Sequence, residues 1–170
     1  EMIKDSVTIM RGCFGGCTFC SITTHQGRII QSRSRESVQG EVKKLALDPS
    51  FKGVVSDVGG PTANMYEMRC TRPEIEAKCR RLSCVHPTVC KLLGTDHGPL
   101  VKLLKETRET PGVKKVFVAS GVRMDLAQFS DEYLTEMATH HVGGHLKVAP
   151  EHTSPKVLKL MKKPVINDFE

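Results

Sequence analysis

Ser6-Val7-Thr8-Ile9-Met10 runs without a break into Arg11-Gly12-Cys13-Phe14-Gly15-Gly16-Cys17-Thr18-Phe19-Cys20. The first five residues read as a short buried strand rich in β-branched side chains. The next ten place three cysteines at C-x3-C-x2-C in a loop at the strand's carboxyl end, where parallel α/β folds hold their sites. Gly12, Gly15 and Gly16 let the backbone turn tightly and offer N–H groups to sulfur or to an anion. Three thiolates at this spacing can converge on one inorganic centre. They suit a 4Fe–4S cluster with one iron left open. Structural zinc wants a fourth ligand, which His25 could supply.

The same strand signal recurs at Gly53 to Val58, Val116 to Ala119 and Leu146 to Ala149. Helical patterns fill the gaps. Ser37 is placed to cap a helix with Val38, Val42, Leu45 and Ala46 on one face, ended by Asp48 and Pro49. Leu100, Val101, Leu103 and Leu104 mark a second helix, ended by Pro111 and Gly112. Ser130 caps a third with Tyr133, Leu134 and Met137, and Pro155 after Ser154 opens a fourth with Val157, Leu158 and Met161. Alternation of this kind predicts an α/β fold with a parallel sheet, either doubly wound or part of a barrel. About four β-α units make residues 1–170 one core piece, with further strands expected downstream. An insert over about residues 61 to 99 interrupts the rhythm after strand two.

The chain carries 25 Lys plus Arg against 19 Asp plus Glu, a net charge of +6, and seven cysteines. The charge is not spread evenly. Residues 11–35 hold Arg11, Arg28, Arg33 and Arg35 with no acid, and residues 69–91 hold six cations against Glu74 and Glu76. Those two segments contain every cysteine: Cys13, Cys17 and Cys20, then Cys70, Cys79, Cys84 and Cys90. Thiolate ligands and anionic cofactors favour positive surroundings, which gives the coincidence a physical reason. An odd cysteine count argues against a secreted disulfide framework, so a reducing, cytoplasmic setting is expected. No stretch has the length of a membrane span. The second group, with His86 and His97 nearby, lacks the C-x2-C knuckle, so iron–sulfur, zinc and free thiols all remain open for it. Its arginines could meet nucleic-acid phosphate, yet aromatics for base stacking are scarce there, and nucleic acid is not favoured.

The C-x3-C-x2-C loop, with Phe19 before its last cysteine, resembles the radical S-adenosylmethionine (SAM) superfamily. Asp57-Val58-Gly59-Gly60-Pro61-Thr62-Ala63-Asn64-Met65-Tyr66, Cys79-Arg80-Arg81-Leu82-Ser83-Cys84 and Leu146-Lys147-Val148-Ala149-Pro150-Glu151-His152-Thr153 extend the likeness to its YgiQ-like branch. The resemblance implies a partial TIM-like barrel with about four of six strands. It makes Cys13, Cys17 and Cys20 ligands of a 4Fe–4S cluster whose open iron takes SAM. The reduced cluster then cleaves SAM to a 5′-deoxyadenosyl radical, which acts on an unidentified substrate, with an electron donor such as flavodoxin or ferredoxin.

The resemblance also puts Phe19 near the adenine or the cluster. It gives Gly59 and Gly60 a backbone role toward the methionine amine, although Pro61 stands where the family has Glu. Ser120 and Arg123 are expected at the cofactor's carboxylate or ribose, Arg123 by a two-point contact. Lys147, Glu151 and His152 are expected at the ribose or substrate. Asp57, inside an apolar strand, needs a hydrogen bond or an opening to survive burial. His140, His141 and His145 read as solvated, on the opposite rim. The competing reading is a non-catalytic zinc-binding module whose basic flanks contact RNA.

Overall fold

A computed structural model describes residues 4–165. In chain order the elements are β1 (Ser6–Thr8), β2 (Met10–Arg11), α1 (Ile22–Gln26), β3 (Gln31–Ser32), α2 (Arg35–Leu47), β4 (Val54–Val55) and β5 (Asp57–Gly59). After them come α3 (Pro73–Glu76), α4 (Gly98–Arg108), β6 (Lys115–Val116), α5 (Met124–Ala127), α6 (Asp131–Glu136) and α7 (Pro155–Met161). A single turn of 3-10 helix covers Ala63–Met65, and a π turn, Met137–His141, continues α6.

β1 pairs in parallel with β5, and β4 in parallel with β6. Val58 N–H donates to the Phe117 carbonyl at 2.8 Å, which carries the β6 segment past its formal end. The expected fourth strand is reduced to one parallel bridge, Val148 with Val122. Each neighbour follows the last in chain order. A barrel wall advances this way, whereas a doubly wound sheet reverses its strand order. Among the described residues the wall does not close into a barrel. An antiparallel pair, β2 with β3, lies beside its first strand.

The core lies between this wall and its helices. Val7 and Ile9 point to the side where α2 packs with Val38 and Val42, and α4 adds Leu100, Val101, Leu103 and Leu104, all buried. Truncating one such leucine to alanine costs about 2–5 kcal/mol. Polar pins hold the two helices in register: Gln39 donates to Thr107 Oγ1 at 3.1 Å and accepts from Thr110 Oγ1 at 3.2 Å.

The helix starts differ in one place from expectation. Ser34, not Ser37, caps α2, its Oγ accepting from Ser37 N–H at 3.2 Å. Ser37 instead receives the Arg33 guanidinium. Ser130 and Ser154 stand at the N-caps of α6 and α7 as expected. His141 is a correction. It is fully buried, with Nδ1 on the Val116 carbonyl at 2.9 Å and Nε2 on Glu136 at 3.1 Å. The π turn swings the ring inward against β6, a change of face that helical periodicity cannot foresee.

Candidate functional site

The cysteine loop leaves β2 and returns into α1. Cys13 is buried, Cys17 and Cys20 half-buried, and all three are free thiols. Two backbone bonds close the loop, Cys13 N–H to the Gly27 carbonyl at 3.0 Å and Cys20 N–H to the Cys17 carbonyl at 3.2 Å. Gly15 N–H points at Cys13 Sγ at 3.3 Å. Cys17 and Cys20 each lie within electrostatic reach of Cys13, and the guanidinium of Arg123 lies within reach of Cys13 and Cys17. Burial pushes the Cys13 thiol above its usual value, while the Gly15 N–H and the Arg123 charge pull it down. Phe19 is 52% exposed on the outside of the loop.

The far side of the loop is pinned at long range. Thr18 donates from N–H and Oγ1 to the Met161 and Leu160 carbonyls at the end of α7, at 3.1 and 2.9 Å.

Beside the loop two cavities share Thr8, Arg11 and Gln26. One, of about 280 Å³, is lined further by Asp57, Gly59, Gly60, Pro61 and Ser120 at the strand ends. The other, of about 950 Å³, adds His25, Gln31, Ser32 and Arg33. Arg33 is engaged by Glu41 at 2.5 Å, whereas Arg11 has no ion-pair partner among the described residues. Arg11 is the cation sequence reasoning missed. Its place directly ahead of the first cysteine was the available signal.

Asp57 meets its expectation. Oδ1 accepts from Ala119 and Ser120 N–H at 2.8 and 3.0 Å, and Oδ2 accepts from Ser120 Oγ. The carboxylate ties the ends of two adjacent strands and takes up the Ser120 hydroxyl. Gly59 and Gly60 are there because side chains do not fit. A Cβ at Gly60 would lie 2.6 Å from the Met10 carbonyl oxygen, and one at Gly59 would strike Ser120.

Arg123 is 7% exposed, and its two-point contact is made within the chain: Nε to Asp125 Oδ1 at 3.0 Å and Nη2 to Oδ2 at 2.6 Å. Asp125 holds the guanidinium above its usual value although burial opposes the charge. Lys147 and Glu151 are exposed at the fourth strand end, and Glu151 pairs with Lys163 at 3.4 Å. His152 Nδ1 accepts from Ser154 N–H at 2.8 Å, which opens α7.

The insert carries the other four cysteines. Cys79, Cys84 and Cys90 interact electrostatically, whereas Cys70 bonds the Arg72 carbonyl at 3.5 Å in a bridge with Leu93. Arg81 N–H and the Arg28 guanidinium hold the half-buried Cys79 thiol below its usual value, and burial pushes Cys84 up. Cys90 N–H closes on the Cys84 carbonyl at 2.7 Å. His97 lies apart from the cysteines, stacked on Tyr133 at 4.6 Å between ring centroids. The two cysteine loops touch: Cys84 N–H donates to the Phe14 carbonyl at 2.9 Å.

Among the described residues, no three Cys, His, Asp or Glu side chains stand together as a site for one metal ion. A cluster takes its thiolates on separate irons, so its ligands need not meet at a point. Three thiols, a backbone N–H aimed at sulfur and a buried cation form a donor set that fits such a cluster. No helix among the described residues is long and apolar enough to cross a membrane.

A family model described as the Radical SAM superfamily matches residues 7–169. The chain is 59% identical to a UPF0313 protein of Bradyrhizobium diazoefficiens over 99% of its own length and 25% of the relative's. A UPF0313 protein of Pseudomonas putida is 58% identical over 100% of the chain and 22% of the relative. The UPF0313 protein YgiQ of Salmonella typhimurium is 54% identical over 100% and 24%. The chain thus spans about a quarter of the length of these curated relatives, whose names state no reaction.

Proposed function

The chain belongs to the radical SAM superfamily, and from that premise we propose that it is the cluster-bearing core of an enzyme that cleaves S-adenosylmethionine reductively. Cys13, Cys17 and Cys20 hold the 4Fe–4S cluster. The observation that carries this reading is the loop itself: three free thiols, Cys17 and Cys20 both within reach of Cys13, with Gly15 N–H on Cys13 Sγ and the Arg123 charge alongside. When bound, cluster and SAM supply a 5′-deoxyadenosyl radical for hydrogen abstraction from a substrate.

The chain's own residues bind and orient. Backbone groups at Gly59 and Gly60 receive the methionine end of SAM in the cavity at the strand ends, which only glycine leaves open. Arg11, lining both cavities and without an ion-pair partner among the described residues, meets the carboxylate, since the fork of Arg123 is taken by Asp125. Ser120 and Asp57 hold the strand ends under it. Phe19 flanks the loop, while Lys147 and Glu151, at the next strand end, contact ribose or substrate. Cys70, Cys79, Cys84 and Cys90, with Arg28 beside Cys79 and Cys84, form a second metal group in the insert, iron–sulfur or zinc. The electron comes from a carrier such as flavodoxin or ferredoxin. Seven free thiols suit a reducing cytoplasm.

Anaerobic reconstitution of the full-length protein with iron and sulfide tests the proposal. Iron and labile sulfide are expected in the wild type, with 5′-deoxyadenosine released on reduction with SAM. Cys17→Ala is expected to lose the SAM-responsive cluster and Cys79→Ala to keep it. Stoichiometric zinc without labile sulfide, in protein prepared anaerobically, would sink the reading.

A further inference from the structure

Asn64 is a fully buried polar side chain in the middle of the Ala63–Met65 turn that follows the Gly59-Gly60 strand end. Its carboxamide is spent entirely on the backbone of one distant residue: Nδ2 donates to the Arg123 carbonyl at 2.8 Å, and Oδ1 accepts from Arg123 N–H at 2.9 Å. A two-point grip of this kind fixes the main chain of Arg123 as a strand partner would. Asp125, equally buried, grips the side chain through Nε and Nη2. Nη1 takes no part in that pair. It faces the cysteine loop, lying 2.8 Å from the point a Gly15 Cβ would occupy, with Cys13 Sγ 3.2 Å from the same point.

The ion pair is therefore a buried dipole with its positive end toward sulfur. Burying such a pair contributes little net stability compared with an apolar replacement. Its value lies in where the charge sits. The potential of an iron–sulfur centre follows the net charge and hydrogen bonding around its sulfurs. A cation held there favours the reduced form, which carries one more negative charge.

We infer that Asn64 and Asp125 are positioning residues that aim the Nη1 edge of Arg123 at the Cys13–Cys17 loop, so that its charge raises the reduction potential of the centre bound there. The inference rests on the proposed cluster, and neither Asn64 nor Asp125 touches it.

The test is a redox titration of the reconstituted full-length protein, followed by electron paramagnetic resonance, with iron and sulfide assayed in each variant. Arg123→Gln leaves the Asp125 charge uncompensated and shifts the midpoint negative by at least a tenfold change in the reduction equilibrium, about 59 mV for a one-electron couple. Arg123→Lys keeps the charge and restores part of the shift. Asp125→Asn shifts the midpoint the opposite way, and Asn64→Ala lowers it by less than Arg123→Gln. A purely structural pair would alter loading or thermal stability and leave the midpoint alone. Unshifted midpoints in loaded Arg123→Gln overturn the inference. If that variant fails to load, the isosteric Asp125→Asn decides, and an unshifted midpoint there overturns it equally. A wild type that takes up no cluster would instead defeat the parent reading.

Discussion

At Gly60 a single missing methyl group lets the end of β5 pack against Met10. Its Cβ position lies 2.6 Å from the Met10 carbonyl and 3.0 Å from the Met10 side chain, so the obstruction includes backbone that cannot rotate away. Overpacking of this kind costs about 1–3 kcal/mol. Gly60→Ala is expected to push Met10 away from the end of β5 and weaken SAM binding at least tenfold by equilibrium dialysis, with cluster iron retained. Undiminished binding would remove the Gly59-Gly60 end from the cofactor site. Other residues were legible only in part. Asp57 announced itself as a polar group in an apolar strand, but its partners at Ala119 and Ser120, 62 and 63 residues away, did not.

At the scale of elements, one acidic side chain joins three of them. Glu136, at the end of α6, accepts from Arg108 of α4 at 3.0 Å and meets His141, whose other nitrogen binds the β6 carbonyl of Val116. Burial works to raise the Glu136 pKa, and the Arg108 and His141 hydrogen bonds outweigh it, so the net shift is downward from 4.5. A depressed folded-state value stabilises fully above the ordinary range and is lost as pH falls through the folded one. Glu136→Gln is expected to cost about 2 kcal/mol near neutral pH in urea unfolding. The gap to wild type closes as pH drops below 4.5. A gap unchanged across that range would refute the role. Helix starts show the same division between local and distant causes. Ser130 is readable because its hydroxyl satisfies an N–H of its own helix, and the start of α7 because Pro155 suits a first helical position. The α2 start was misjudged by three residues because Ser34 and Ser37 offer the same chemistry, and the distinction lies in Arg33, which occupies Ser37.

At the scale of the whole molecule, the insert and the first cysteine loop behave as one unit. Cys84 donates to the Phe14 carbonyl, and Gly16, with φ of 62°, leaves room for the Leu82 carbonyl where a Cβ would stand. Gly16→Ala combines a left-handed backbone with that collision and is expected to cost about 3 kcal/mol. Hydrogen exchange should then rise across residues 79–90 while α4 keeps its protection. Unaltered exchange in the insert would show that the two loops are independent.

The sequence by itself determined the strand–helix alternation, the cysteine loop at a strand's carboxyl end and the family likeness, because periodicity, capping and ligand spacing are local properties of the chain. Only the tertiary structure decided that Asn64 grips Arg123 and that Asp57 meets Ala119 and Ser120. Those outcomes depend on which side chains meet when segments some 60 residues apart are packed together. Spacing carries no record of it.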